Sequence, residues 1–122
     1  MFDERSPIYR QIADQIAAEI LSGDLVPDDQ VMSTNQYAAF HRINPATVAK
    51  GFQRLVDDGL LYKKRGIGMF VTPEAPERLR ARHRDRFFTD VVGPMVAEAR
   101  LIGIGVDGVI AHIRELDGKD RR

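Results

Sequence analysis

The 122-residue sequence predicts a mainly α-helical fold with a small β-hairpin, in which a winged helix-turn-helix is followed by a C-terminal α-helical tail. Three observations predict it. Residues 33–59 contain two segments of helical periodicity separated by a tight turn. Two short β-prone runs follow, joined by a basic loop with two glycines. From about residue 76 the apolar residues return to helical spacing.

The first helix is predicted from about residue 7 to residue 22. Ser6 is a suitable N-cap, and Pro7 a suitable first helical residue, because that position loses no hydrogen bond when its N–H is missing. Gly23 can adopt the left-handed conformation that ends a helix. The inner face repeats every four residues and consists of Ile8, Ile12, Ile16 and Ile20. A loop over residues 24–31 is expected next.

The next two helices form the predicted helix-turn-helix. The first has Ser33 as its N-cap, and residues 41–43 form the turn, with Ile43 packed between the helices. The second has Asn44 as its N-cap and ends at Gly59. The residues expected to pack inward are Tyr37, Ala38 and Phe40 on the first helix and Val48, Phe52, Leu55 and Val56 on the second.

A basic β-hairpin, the wing, completes the N-terminal domain, which we place at residues 1–73. Its strands are residues 60–62 and 69–71, and the loop between them is KKRGIG. The two glycines of this loop allow the positive φ that a tight hairpin requires.

The tail, residues 74–122, has apolar stripes but too few residues for a core of its own. We expect a helix over residues 76–102, interrupted near Pro94, and a short helix over residues 106–116. The stripes must pack on the N-terminal domain or on a second copy. A homodimer would also place two recognition helices one DNA turn apart. The residues predicted to form the dimer contact are Phe88, Val92, Met95, Ala99, Ile102, Val109 and Ile113.

Composition excludes several classes of protein. The absence of Cys excludes a disulfide framework and a thiolate zinc site, and it fits a reducing cytoplasm. The N-terminus is charged where a signal peptide would be apolar, and no apolar run approaches the roughly 20 residues of a membrane span. We therefore expect a cytoplasmic protein with no membrane partner.

The formal net charge is zero, but its distribution along the chain is uneven. Residues 1–40 carry seven acids against two arginines, a net charge of −5. Residues 41–86 carry eleven Lys and Arg against five acids, a net charge of +6. The remaining residues carry a net charge of −1. The positive charge coincides with the second helix of the pair and the wing, where binding to DNA would require it.

The predicted DNA contacts lie on the helix-turn-helix and the wing, because residues near the start of a recognition helix reach base edges and cations contact phosphates. The alternative for the helix is an ordinary solvated polar face. The alternative for the wing is a charged tip that protects an edge strand from aggregation. The predicted contact residues are Ser33, Asn35, Asn44, Ala46, Thr47, Lys50, Arg54, Lys63, Lys64, Arg65 and Gly66.

No catalytic or cofactor-binding pattern is apparent. Gly103-Ile104-Gly105-Val106-Asp107-Gly108 matches the spacing of a dinucleotide-binding loop. However, a helix precedes it and only fourteen residues follow it, so we interpret it as a corner between helices. The three histidines lack the spacing of paired metal ligands. We expect no cofactor, no metal site and no enzymatic activity.

The residues from about Pro7 to Val71 resemble the GntR family of bacterial transcription regulators. The segment PIYRQIADQIAAEILSGDL is similar to the first helix of that family, and residues 33–71 to its helix-turn-helix and wing. The short tail and the Asn-Pro-x-Thr start of the second helix resemble the YtrA-type subfamily. The resemblance implies a dimeric repressor, often of a transporter operon.

The sequence departs from the family pattern within the helix-turn-helix. It has Asn35 and Ala49 where many members have arginine, so we expect specificity to depend on Lys50, Arg54 and the wing. We predict a homodimeric repressor bound to a palindromic double-stranded DNA operator. Any small-molecule effector is expected to enter a cavity between the tail and the DNA-binding domain. The alternative is a winged-helix adaptor that binds proteins instead of DNA.

Overall fold

The computed structural model describes residues 6–120, without the side chain of Asp120, and confirms a mainly helical protein with a two-stranded antiparallel hairpin. It forms two compact units, residues 1–81 and 82–122. No described helix is long and apolar enough to cross a membrane. The elements are α1 (Ile8–Ser22), α2 (Thr34–His41), α3 (Pro45–Asp57), β1 (Leu61–Lys64), β2 (Gly68–Val71), α4 (Ala75–Phe87), a π-helix (Phe88–Val92), α5 (Gly93–Leu101) and α6 (Val106–Asp120).

The first helix ends as predicted but begins differently. Gly23 has a φ of 91°, and its N–H donates to the carbonyl of Ile20. The prediction of Ser6 as N-cap is wrong, because the N-cap is Pro7, which has no side-chain hydrogen bond to offer. Ser6 lies one residue too early, and its carbonyl accepts a hydrogen bond from Gln11 Nε2 at 2.8 Å.

Both N-caps of the helix-turn-helix are confirmed. Ser33 Oγ accepts from the Gln36 N–H at 3.1 Å, while Gln36 Oε1 accepts from the Ser33 N–H at 3.0 Å, which completes a capping box. Asn44 Oδ1 accepts from the Ala46 N–H at 2.8 Å. Between the helices, Arg42 adopts a left-handed conformation with a φ of 56°. These local contacts fix where α2 ends and α3 begins.

The core of the N-terminal unit lies between α1, α3 and the start of α4. Ile43 and Val56 pack partly buried against it, and Leu79 of α4 is fully buried within it, so this unit extends past residue 73, where we expected the boundary. Its largest enclosed side chains include Ile12, Ile20, Val48, Phe52 and Leu55.

Two residues predicted to pack inward do not. Phe40 is 70% exposed, because it lies about 200° around the helix from the buried Ala38. The inner stripe of the eight-residue α2 is occupied by Tyr37 and Ala38 instead. Ile8, in the first turn of α1, is also exposed.

The segment 28–31, predicted as a loop, pairs with the hairpin. The N–H of Asp28 donates to the carbonyl of Val71 at 2.8 Å, and the N–H of Val31 donates to the carbonyl of Met69 at 2.9 Å. Within the hairpin, Lys63 lies opposite Met69 and Lys64 opposite Gly68. The wing therefore rests on a third extended segment that anchors it to the end of α1.

The C-terminal unit shows the interruption predicted near Gly93-Pro94, in the form of a π-helix. Pro94 has no N–H to donate, and the N–H of Gly93 donates to the carbonyl of Phe88, five residues earlier. Gly103 adopts a φ of 80° after α5, which confirms a corner at the glycine-rich segment. Helix α6 continues to Asp120, beyond the predicted residue 116.

Candidate nucleic-acid interface

Helix α3 presents a polar face to solvent because its other face is held in the core. Val48, Phe52 and Leu55 are buried, and this apolar stripe fixes the rotation of the helix. Thr47 is half-buried, near the start of the helix. The exposed residues of α3 are Pro45, Ala46, Ala49, Lys50, Gln53, Arg54 and Asp57. Of these, Ala46, Lys50 and Arg54 are predicted contacts, and the other four are not.

The wing divides its cations between two faces, because side chains alternate along a strand. Lys64 Nζ lies 4.7 Å from the centre of the Phe70 ring and 5.9 Å from that of the Tyr62 ring. Lys63 points to the other side, the side of its partner Met69. Arg65 and Gly66 are exposed in the turn, where Gly66 has a φ of 77°.

The start of α2, the face of α3 and the wing meet around one groove. Its volume is about 300 Å³. Ser33 contributes from the N-cap of α2, Gln53 from α3 and Lys63 from the wing. The other lining residues are Thr34, Ala49, Phe52, Gly68 and Met69. The groove thus brings two predicted contacts, Ser33 and Lys63, beside the recognition helix α3.

The remaining predicted contacts do not line this groove. Asn35 is exposed on α2, and Asn44 is exposed at the N-cap of α3. The other residues of this group are Ala46, Thr47, Lys50, Arg54, Lys64, Arg65 and Gly66.

The segment 28–31 holds the wing in place through side chains that the sequence did not single out. Gln30 Nε2 donates to the carbonyl of Ile67 in the wing turn at 3.1 Å. Gly68 has a φ of 146°, which L side chains rarely adopt, and a Cβ there would lie 2.6 Å from the same nitrogen and displace the Gln30 side chain. The hydroxyl of Tyr62 donates to Asp28 Oδ1 at 2.8 Å, and this hydrogen bond raises the pKa of Tyr62.

A second group of cations surrounds Tyr9 of α1, beside α3. Lys50 Nζ lies 4.2 Å from the centre of the Tyr9 ring, and Arg10 Nε donates to the Tyr9 hydroxyl at 3.4 Å. The Arg10 hydrogen bond, together with the charges of Lys50 and Arg54, lowers the pKa of Tyr9. The positive surface therefore continues from α3 onto the first turn of α1. No sequence signal placed Tyr9 next to Lys50, because that contact joins distant residues.

The C-terminal unit has an apolar groove of about 150 Å³ between α5 and α6. Five of the residues predicted for the dimer contact line it, namely Val92, Met95, Ala99, Val109 and Ile113. The other two, Phe88 and Ile102, are 70% and 65% exposed and lie outside it.

In the part of the chain that the structure describes, no three His, Asp or Glu side chains come together as a metal site would require.

Comparison with known proteins identifies relatives among bacterial regulators. The family model for bacterial regulatory proteins of the gntR family matches residues 8–71. The HTH-type transcriptional repressor NagR of Bacillus subtilis is 39% identical over 72 residues, which are 59% of this chain and 30% of NagR. The HTH-type transcriptional repressor YtrA of the same organism is 27% identical over 116 residues, which are 93% of this chain and 88% of YtrA. The chain therefore spans less than a third of NagR but most of YtrA.

Solved structures of regulators share this fold. A GntR family transcriptional regulator from Listeria monocytogenes has 26% identity and a TM-score of 0.73, over 93% of this chain and 98% of its own. The AraR(DBD) in complex with operator ORX1 has 28% identity and a TM-score of 0.55, over 59% of this chain and 93% of its own. Because the family model matches the residues that form the helix-turn-helix and the wing, the chain belongs to the gntR family of bacterial regulatory proteins, as a winged-helix transcription regulator of the YtrA type.

Proposed function

We propose that this protein is a homodimeric repressor that binds a palindromic double-stranded operator. The observation that carries the proposal is the single groove at which Ser33, the exposed face of α3 and Lys63 meet. Residues 41–73, which contain α3 and the wing, carry six Lys and Arg against two acids, and their net charge of +4 has the sign that a polyanion requires. The operator complex of the similar AraR domain supports the same partner.

In the proposed complex, α3 enters the major groove with its first turn toward the bases. Ala46 and Thr47 lie where a recognition helix contacts base edges, and their methyl groups suit contact with a thymine methyl. The positive end of the α3 dipole, at the N-cap Asn44, favours a phosphate oxygen.

The cations divide into two functions. Arg54 is exposed on α3 and is free to read a guanine or to contact a phosphate. Lys50 lies over the Tyr9 ring, beside Arg10, so we assign it to the phosphates at the edge of the groove. In the wing, Lys63 faces the same groove as α3, and Arg65 extends from the turn. These contacts make affinity depend strongly on salt.

Dimerisation is assigned to the C-terminal unit. The groove between α5 and α6 is almost entirely apolar, and Ile104, Ile110 and Ile113 around it are each at least 40% exposed. Apolar side chains clustered in this way mark an interaction surface. A second copy would cover them and supply the second recognition helix that a palindrome requires. Because the proposed ligand is chromosomal DNA, we place the protein in the cytoplasm.

The experiment that tests this function is selection of bound duplexes from a random DNA pool, followed by fluorescence anisotropy with the selected site. We expect an inverted repeat with half-sites about one helical turn apart, roughly 34 Å. The Lys63→Ala/Lys64→Ala/Arg65→Ala variant should bind the selected duplex much more weakly. Failure to enrich any sequence, or full affinity of the triple variant, would favour the protein adaptor.

A further inference from the structure

An open cavity of about 430 Å³ lies in the N-terminal unit and takes no part in the proposed DNA contacts. Helix α1 contributes Gln15, Ile16 and Glu19, and α2 contributes Tyr37, Phe40 and His41. Phe52 of α3 and the extended segment around Val31 complete the lining. Its volume lies within the range of small-molecule sites in proteins.

Aromatic rings form much of the wall. The rings of Tyr37 and His41 lie 4.2 Å apart between their centres, and those of Tyr37 and Phe52 lie 5.6 Å apart. The ring centre of Phe40 lies 4.9 Å from that of His41, and Phe40 is 70% exposed. The faces of such rings carry negative partial charge and attract cations.

Two polar groups in the wall have no hydrogen-bond or ion-pair partner in the described part of the chain. Tyr37 is only 6% exposed, yet its hydroxyl makes no hydrogen bond within residues 6–120. A buried phenol normally has a partner, because water cannot supply the missing hydrogen bond. Burial and, to a lesser extent, the charge of Glu19 raise the pKa of Tyr37, so its oxygen stays protonated and uncharged. The carboxylate of Glu19 forms no ion pair with any described Lys or Arg.

The electrostatic environment favours a positive ligand. Among residues 6–119, no lysine or arginine lines the cavity, and Glu19 is the one carboxylate that does. Most of the lining belongs to residues 1–40, whose net charge is −5. A ligand entering here would lose contact with water and gain an unpaired anion and several ring faces.

We propose that this cavity binds a small organic cation, specifically a protonated primary amine with an aromatic or branched aliphatic body. The ammonium group donates hydrogen bonds to the Glu19 carboxylate and, once the Tyr37 side chain turns toward it, to the Tyr37 oxygen. The apolar body lies among Ile16, Phe40 and Phe52. Neither Glu19 nor Tyr37 belongs to the proposed DNA interface. A test of amine binding therefore does not depend on whether the protein binds DNA.

The test is titration of the full-length protein, without DNA, with phenethylammonium by isothermal calorimetry. Phenylacetate serves as the matched anion of the same shape. We expect the amine to bind and phenylacetate to bind at least about tenfold more weakly, because one charge-assisted hydrogen bond is worth about that factor. Absence of amine binding, or equal binding of both probes, would overturn the proposal.

Three variants locate the binding site. Glu19→Gln should weaken amine binding about tenfold, and Tyr37→Phe, which removes only the hydroxyl, should weaken it severalfold. Asp14→Asn is the control, because it removes the same charge from an exposed position on the same helix and should leave binding unchanged. Thermal unfolding verifies that each variant is folded. Full affinity in either Glu19→Gln or Tyr37→Phe, or equal loss in Asp14→Asn, contradicts the assignment.

Discussion

Lys50 of the recognition helix α3 lies over the ring of Tyr9 in α1, with 4.2 Å between Nζ and the ring centre. Arg10 Nε donates to the Tyr9 hydroxyl. The tyrosine therefore holds two cations near the exposed face of α3. The backbone of α1 at Tyr9 also lies against Gly51 of α3. Helix α1 therefore positions the helix that we expect to contact DNA bases.

The first prediction concerns this pair. Tyr9→Leu and Lys50→Met should each lower stability slightly, and the double variant should lose about 0.5–1 kcal/mol less than the sum of the single losses, the usual strength of an exposed cation–π contact. Free energies of unfolding from urea titration provide the measurement. Tyr9→Leu combined with Lys63→Met is the control and should be additive, since Lys63 lies in the wing. Additivity in the first pair would show that the contact contributes nothing.

The second prediction separates the two lysines of the wing. Lys63→Ala should lower DNA affinity and reduce the slope of log K against log salt by about 0.9, the value for one phosphate contact. Lys64→Ala should change the slope less, because its ammonium group lies over Phe70 and Tyr62, away from the groove. Anisotropy titrations over a series of salt concentrations measure both slopes. Equal losses would contradict the division of the wing into two faces.

Features that depend on neighbouring residues could be predicted from the sequence. The N-caps Ser33 and Asn44 and the left-handed Gly23 depend on hydrogen bonds within three residues, so residue type and position determine them. The wing and the recognition helix could be predicted for the same reason. The prediction that Phe40 packs inward is wrong because an eight-residue helix has too few turns for the spacing of apolar residues to define its inner face.

Features that join distant residues could not be predicted. The pairing of segment 28–31 with β2, the hydrogen bond from Gln30 to Ile67 and the contact of Tyr9 with Lys50 depend on tertiary packing. No local pattern reports such contacts. The placement of Lys63 and Lys64 on opposite faces of the hairpin could be predicted in part, because strand alternation implies it once the register of the hairpin is known.

The third prediction separates helix capping from DNA binding at Ser33. Ser33→Asp should keep the free energy of unfolding within about 0.5 kcal/mol, because aspartate caps helices as well as serine does. It should weaken DNA binding at least about tenfold, because its carboxylate would face the groove and repel phosphates. Ser33→Ala should do the reverse, with a stability loss of about 1 kcal/mol and a smaller change in affinity. Urea titration measures the change in stability, and anisotropy measures the change in DNA affinity. Full DNA affinity of the Ser33→Asp variant would exclude Ser33 from the interface.

The fourth prediction tests the tail. Met95→Asp should convert dimers into monomers that bind the operator weakly, because a buried carboxylate at the groove between α5 and α6 would lose its hydration. Ala97→Asp is the matched control, since Ala97 is exposed on the same helix and does not line the groove. Light scattering measures the mass of each variant. A dimeric Met95→Asp protein would count against the assigned interface.

The fifth prediction concerns Gly51, where α3 approaches α1 most closely. A Cβ at this position would lie 2.8 Å from the Tyr9 carbonyl oxygen and 3.2 Å from Ile12 Cβ, so the helices would have to separate. Alanine gains about 1 kcal/mol in helix propensity, but overpacking of a core costs about 1–3 kcal/mol, and backbone cannot move aside as a flexible side chain can. We therefore expect Gly51→Ala to lower the free energy of unfolding by about 1 kcal/mol, measured by urea titration. Gly118→Ala in α6, where a Cβ meets nothing within 4 Å, should not lower stability. If Gly51→Ala is as stable as the parent, the close approach of α1 and α3 does not require glycine.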